Sequence, residues 1–158
     1  MKARVILLTS VLEEVEHEAE RMHPNETGGV LLGYADREDP GYLEICKCVG
    51  PGPCADYAPR RFDPDTDWQA ARVAEEYERS GHVVTYLGDW HSHPTGSTNP
   101  SSLDRTTARA IARHDEARLP SPLMLILGGP PGRWTPVVYR YRWNWLWQAQ
   151  LQIPVPHG

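Results

Sequence analysis

Apolar positions recur along the chain with two periods. Val83, Val84, Thr85, Tyr86 and Leu87 form a β-branched and aromatic run, the composition of a largely buried strand. The short apolar run beginning at Val5 reads as a first strand, and further strands are expected over residues 29–35, 42–49, 123–127 and 136–142. Helical spacing lies between them. Thr9 or Ser10 caps a helix reaching about Met22, with Val11, Leu12, Val15, Ala19 and Met22 on its apolar side, and His23-Pro24-Asn25 ends it. A polar loop containing Arg60-Arg61-Phe62 precedes a second helix over 65–79, with Trp68, Ala71, Val73, Ala74 and Tyr77 available for packing. Ser101 opens a third, running to about Asp115, to which Leu103, Ala108, Ala110, Ile111 and Ala112 supply much of the apolar content. The alternation predicts an α/β (α+β) fold with a mixed central β-sheet flanked by helices.

The C-terminal segment, residues 143–158, has two readings. From Val137 to Ile153 every second residue is apolar, with Trp143, Trp145 and Trp147 among them, which is a strand period. The run is longer than an ordinary strand, and Trp143, Leu146, Trp147 and Leu151 would equally line a helix face. It is either an amphipathic element closing the core or an aromatic platform for a protein partner or second subunit. Solvent exposure of the tryptophans separates the two.

At 158 residues the chain is expected to be one domain, 1–158, with no linker dividing it. Such a domain buries roughly 68–70% of its unfolded surface. A net charge of −5 argues against a nucleic-acid or anionic-membrane partner, both of which need a basic field. The apolar start Val5-Ile6-Leu7-Leu8 is too short for a signal peptide and an acidic helix follows at once, so a cytoplasmic protein is expected. Cys46 and Cys48 are expected on one face of a strand, and Cys54 in a Pro/Gly loop. Buried thiols suit them better than a disulfide framework or a second zinc site. A cysteine nucleophile would need a positioned histidine, and the best histidines already stand in a metal-binding arrangement.

That arrangement is Trp90-His91-Ser92-His93-Pro94, followed after a loop by Ser101-Ser102-Leu103-Asp104. Side chains alternate along a strand, so His91 and His93 point the same way at its end. Asp104 falls in the first turn of the next helix, and the loop is long enough to carry its carboxylate to the imidazoles. Three protein ligands leave the fourth position of a tetrahedral Zn²⁺ open for water, the mark of a catalytic site. Ser101-x-x-Asp104 also fits a helix capping box, in which hydroxyl and carboxylate satisfy backbone N–H groups. Both readings of Ser101 and Asp104 stay open on spacing alone.

The string His91-Ser92-His93-Pro94, six residues, then Ser101-x-x-Asp104, resembles the JAMM motif of MPN-domain metalloproteases, in the style of the compact prokaryotic JAB-like members. The motif's upstream glutamate is matched by Glu26, ahead of Gly28-Gly29-Val30-Leu31-Leu32-Gly33. The resemblance implies zinc held by His91, His93 and Asp104, Glu26 as general base and then acid, and Ser101 as donor to the developing oxyanion. It further implies hydrolysis after the C-terminal glycine of a ubiquitin-like protein, whose tail pairs with a strand edge near the metal. Bacterial relatives are often encoded beside ubiquitin-like conjugation enzymes, sometimes in antiphage operons. The alternatives it leaves are a peptidase trimming a sulfur-carrier protein and a non-catalytic ubiquitin-like-binding scaffold. A zinc deaminase is set aside because its H-x-E…P-C-x-x-C signature is missing.

Overall fold

The elements follow the patterning with small shifts. In the computed structural model, which describes residues 2–155, the order begins β1 (Arg4–Leu7), α1 (Thr9–Met22), β2 (Gly28–Ala35), β3 (Tyr42–Val49), β4 (Asp56–Ala58), β5 (Arg61–Asp63) and α2 (Thr66–Arg79). It continues β6 (Thr85–His93), α3 (Ser102–Arg113), β7 (Leu123–Gly128), β8 (Thr135–Arg142), β9 (Trp145–Gln148) and β10 (Gln150–Gln152). Eight strands form one mixed sheet in the order β10-β1-β3-β2-β6-β7-β8-β9. The α+β architecture expected from the alternation is therefore present.

Each face of the sheet has its own helical cover. Val11, Val15 and Ala19, four residues apart on α1, pack with Leu7, Leu31 and Ile45 on one side. On the other side Ala108 of α3 meets Met124, Ile126 and Tyr139, while Trp68 and Val73 of α2 lie against Val30, Leu32 and Val49. β7 is buried at every residue, as its unbroken apolar run requires of a strand covered on both faces. Burying each such Leu or Ile contributes about 1.5–3 kcal/mol, so these central strands anchor the site at their ends.

Several expectations need correcting. Leu8, not Thr9 or Ser10, is the N-cap of α1, and no side chain caps it; the Thr9 hydroxyl donates instead to the Pro154 carbonyl at 2.7 Å. Ala71, Ala74 and Tyr77 of α2 are exposed, as are Leu103 and Ala110 of α3, because both helices touch the sheet along a narrow stripe. Buried Gln69 takes a place in that stripe and donates to the Gly50 carbonyl at 3.0 Å. Val83 is 55% exposed and lies before β6 begins. The loop holding Arg60-Arg61-Phe62 contains the hairpin β4–β5, with Tyr57 opposite Phe62; strands of three residues are too short to show a period.

The cysteines are separated by a bulge. The register of β2 on β3 slips so that Leu32 faces Lys47 while Gly33 faces Ile45, which breaks the two-residue alternation. Cys48 packs with the α1 cluster and donates to Glu14 at 2.9 Å, whereas neighbouring Lys47 reaches Glu76 of α2. Cys46 and Cys48 are half-buried, and Cys54 is exposed rather than buried.

The C-terminal segment is strand, not helix. β8 ends in a tight turn at Trp143 (φ 50°) and Asn144 (φ 59°), and β9 returns antiparallel to it. At Ala149 the chain changes partners: its N–H donates to Val138 of β8 at 2.9 Å, while Gln150 donates to Ala3 at 2.8 Å and β10 runs parallel to β1. The sheet thereby nearly closes on itself. Trp143, Trp145 and Trp147 are 73%, 48% and 52% exposed. Residues 156–158 of the segment, like Met1, lie outside the described residues.

Candidate metal centre

The site is assembled where β6 ends and α3 begins. Along β6 the side chains alternate, so Trp90 and Ser92 are buried on one face while His91 and His93 project from the other. The two Nε2 atoms are 3.0 Å apart. His93 Nδ1 donates to the Ser97 carbonyl at 2.9 Å, which orients the ring and leaves Nε2 with a bare lone pair. The capping box is also present: Ser101 Oγ accepts from the Asp104 N–H at 3.1 Å, and Asp104 Oδ2 accepts from the Ser101 N–H at 2.7 Å. It fixes the Asp104 carboxylate, with Oδ1 3.0 Å from His91 Nε2 and Oδ2 3.3 Å from His93 Nε2.

These three ligand atoms lie within 4.8 Å of one another. Tetrahedral bonds of 2.0–2.1 Å to nitrogen and oxygen give an edge of about 3.3 Å between ligand atoms, close to the spacing found. The donor set also calls for a cation, since a bare imidazole nitrogen and an ionised carboxylate otherwise face each other as acceptors. The residues therefore fit a divalent ion such as Zn²⁺.

The electrostatics agree. Without a cation the imidazoles must carry a second proton to face this carboxylate. Burial alone would raise the Asp104 carboxyl, but hydrogen bonds from the protonated His91 and His93, the charge of His91 and the Ser101 N–H then hold it far below the usual carboxylate range. Burial would lower the His93 imidazole, yet its contacts with Asp104 and with the Ser97 carbonyl keep it above its ordinary value.

Glu26 reaches the same place from β2. Gly28 pairs with His91 across the antiparallel β2–β6 ladder, and a Cβ on Gly28 would run into the Trp90 carbonyl and sit 2.9 Å from the Phe62 ring. Only glycine lets the two strands and the hairpin approach this closely. Just before it, the Glu26 N–H donates to the Ala58 carbonyl at 2.9 Å. Glu26, His91, Asp104, Phe62 and Leu103 line one cleft of about 140 Å³. Burial pushes the Glu26 carboxyl up, opposed by the charges of His91 and His93. Glu26 thus shares the cleft with His91 and Asp104, His93 joins those two in the ligand group, and exposed Ser101 is tied to Asp104 by the cap. Because Ser101 Oγ caps as an acceptor, its own proton stays free to donate.

Two residues that sequence reasoning passed over hold this arrangement. Buried Ser92 accepts from the Thr27 N–H at 3.0 Å through Oγ, and its own N–H donates to the Thr27 carbonyl at 2.9 Å. This clip ties the residue after Glu26 to the residue between the ligands. The parity of the strand was the available signal: a serine between two outward histidines points inward, and a buried hydroxyl needs a partner. Thr27 Oγ1 then donates to Glu18 on α1 at 3.1 Å.

A sheet carrying two histidines and an aspartate around one point, with a half-buried glutamate in the same cleft, defines a metalloprotease of the JAB type. The chain belongs to the family of prokaryotic homologs of the JAB domain, which it matches over residues 8–143. It is 41% identical over 128 residues to a probable metalloprotease, y4qB, of Sinorhizobium fredii, covering 80% of this chain and 77% of that one. It is 28% identical over 127 residues to a CD-NTase/cGAS isopeptidase of Enterobacter hormaechei, covering 80% and 68% of the two chains. A Vibrio cholerae protein of the same name is 36% identical over 104 residues, covering 65% and 62%. The solution structure of a Desulfitobacterium hafniense protein shares the fold, with a TM-score of 0.72 at 21% identity over 95% of this chain and 92% of the other.

Proposed function

We propose that the enzyme is a zinc isopeptidase that hydrolyses the amide joining the C-terminal glycine of a ubiquitin-like protein to an amine, or to a following peptide. The observation that carries this reading is that Glu26 shares one cleft with the ligands His91 and Asp104, which His93 completes as a group of three, beside a strand edge unpaired among the described residues. Bound at the three ligands, a zinc ion supplies Lewis acidity and makes water acidic enough to attack near neutral pH. Glu26, raised by burial, accepts the proton of the attacking water and returns it to the leaving amine. Ser101 Oγ–H donates to the developing oxyanion while its lone pair continues to cap α3.

Substrate placement follows from the hairpin. β5 pairs only with β4 among the described residues, and Phe62 of β5 lines the cleft. An extended tail adds along this free edge, and small glycine residues pass beneath Phe62 to the metal. An apolar groove of about 610 Å³, lined in part by Val30, Val73, Tyr86 and Ile111, shares Pro64, Gln69 and Asp89 with the cleft and takes apolar side chains from the surface of the modifier. A second reading, in which the released protein is a CD-NTase, is supported by the names of two relatives and would give the enzyme a role in antiphage defence. Free cysteines at 46, 48 and 54 support action in the cytoplasm.

The test is cleavage of a reporter fused after the terminal glycine of a ubiquitin-like protein, beside a CD-NTase joined through its C-terminus to a lysine. Glu26→Gln is expected to keep its zinc and lose cleavage by on the order of 10²–10⁴-fold. Wild-type rates in zinc-loaded Glu26→Gln would sink the mechanism, and cleavage of only the second substrate would decide for the CD-NTase.

A further inference from the structure

A second cavity, lined by cationic and aromatic side chains, lies at the end of the sheet remote from the metal ligands. The β6–β7–β8 ladder carries His91 to Ile126 and Ile126 to Val137, so Arg142 stands five residues beyond the level of the metal ligand. That is roughly 17 Å at 3.4 Å per residue. There Lys2, Arg140, Arg142, Trp143 and Trp147 line a cavity of about 340 Å³, within the size range of small-ligand pockets.

Only part of this lining is used within the fold: Arg140 Nη1 donates to the Pro40 carbonyl at 3.4 Å, and Trp147 Nε1 is bonded to the Arg142 backbone rather than to its guanidinium. Among the described residues Arg140 and Arg142 form no ion pair, and Arg140 Nε is buried without a hydrogen-bond partner. Burial and the adjacent Arg142 together depress the Arg140 guanidinium, the response of cations gathered without a counter-ion. Trp143 is 73% exposed yet occupies a left-handed backbone conformation, φ 50°, which a bulky residue adopts rarely. Glycine or asparagine would make the turn at less cost, and a polar residue would suit the exposure. The Arg142 guanidinium lies 4.5 Å over the Trp143 ring, and Trp147 meets Trp143 edge-on at 6.5 Å, its Nε1 held by the Arg142 carbonyl at 3.0 Å. Flat aromatic faces are thereby fixed beside a set of unneutralised cations.

We infer that this cavity is a nucleotide-binding site, in which Lys2, Arg140 and Arg142 take the phosphates and the perpendicular rings of Trp143 and Trp147 offer the base one stacking face and one edge. Guanidinium groups match phosphate oxygens in a fork geometry, and base stacking on tryptophan is insensitive to base identity. The net charge of −5 opposes a long polyanion at range while leaving this local cluster free to hold a compact one. The site makes no contact with the metal centre and is independent of the reading of that centre.

The experiment is a calorimetric titration of the zinc-loaded full chain with ADP, adenosine, pyrophosphate, a short oligothymidylate and a glutamate-rich peptide. ADP is expected to saturate with half-occupancy at roughly 1 mM or below, and adenosine or pyrophosphate alone to bind about tenfold or more weakly. Arg142→Ala and Trp143→Gly are each expected to weaken ADP about tenfold. Trp143→Gly separates binding from folding: glycine favours this φ, so its Tm stays level or rises while affinity falls. Absence of saturable ADP binding, unchanged affinity in both variants, or tighter binding of the oligonucleotide or the peptide than of ADP would each overturn the assignment.

Discussion

Ser101 and Asp104 hold each other through a reciprocal pair of hydrogen bonds, 3.1 Å from the Asp104 N–H to Ser101 Oγ and 2.7 Å from the Ser101 N–H to Asp104 Oδ2. Capping and metal binding are therefore one arrangement, since the Asp104 oxygens that satisfy the helix start also face the imidazoles. Ser101→Ala is expected to cost about 1 kcal/mol of stability. It should also lower zinc affinity modestly, since the residue-101 N–H that holds Asp104 Oδ2 survives the substitution but the loosened helix start positions the carboxylate less firmly. Ser101→Asn restores the cap without an equivalent hydroxyl. Thermal unfolding and zinc titration should therefore return to wild type, and turnover should stay low. Full turnover in Ser101→Asn would remove the hydroxyl from the chemistry.

The clip between Ser92 and Thr27 predicts a second effect. Ser92→Ala leaves the Thr27 N–H buried without its hydroxyl acceptor, at a cost of about 1–3 kcal/mol. Glu26 then loses its tether to the ligand strand while the metal ligands themselves are untouched. Zinc stoichiometry by atomic absorption should be normal and kcat reduced, with KM moving less than kcat. Equal loss of zinc and kcat would mean that the clip supports the ligands rather than the base.

Metal and protons compete at His93. In the metal-free protein Asp104 sits below its ordinary range, so its stabilisation is present above the unfolded carboxylate value and lost as pH falls. His93 sits above its ordinary value, so its contribution is complete below the unfolded imidazole value and lost as pH rises. The metal-free protein should therefore be most stable at roughly pH 5–6. Zinc requires neutral imidazole, so the gain in Tm from saturating zinc should widen between about pH 5.5 and 7.5. A gain that is flat or shrinks over that interval would contradict the ligand assignment.

Asp89, two residues before the first ligand, supplies a prediction of opposite sign. Burial pushes its carboxyl up to about 6, against the hydrogen bond from Tyr86 at 2.8 Å and the charge of His91. A folded value above the unfolded one means that stability falls as pH rises through it. In metal-free protein Asp89→Asn keeps an acceptor for Tyr86 and removes the charge. It should stabilise by about 1–2 kcal/mol at pH 7.5 and by little at pH 4.5, as measured by urea unfolding.

Much of this site was legible because its parts are local. The spacing His91-x-His93 needs only strand alternation, and Ser101-x-x-Asp104 needs only the first turn of a helix. Glu26 was placed by its family motif, since nothing in its neighbourhood signals a partner sixty-five residues away in sequence. Where the reading failed, long-range packing decided. A register slip between Leu32 and Gly33 interrupted the regular pairing around Cys46 and Cys48, and helix–sheet contact along a thin stripe left Leu103 exposed at the cleft rather than buried. The tryptophan segment hid a turn at Trp143 and a partner change at Ala149, neither marked by the glycine or proline that usually announces them.

The exchange of partners at Ala149 bears on when the protein acquires its shape. β1 and its second neighbour, β10, are far apart in sequence, so the pairing of Arg4 with Gln150 cannot form until the whole stretch between them has been synthesised. Until then one side of β1 offers unpaired backbone groups to any extended chain nearby. Among the described strands this pairing spans the longest stretch of chain, so it carries the largest loop-closure entropy of the ladders. The folding chain is therefore most vulnerable to misassociation in the interval before β10 is in place.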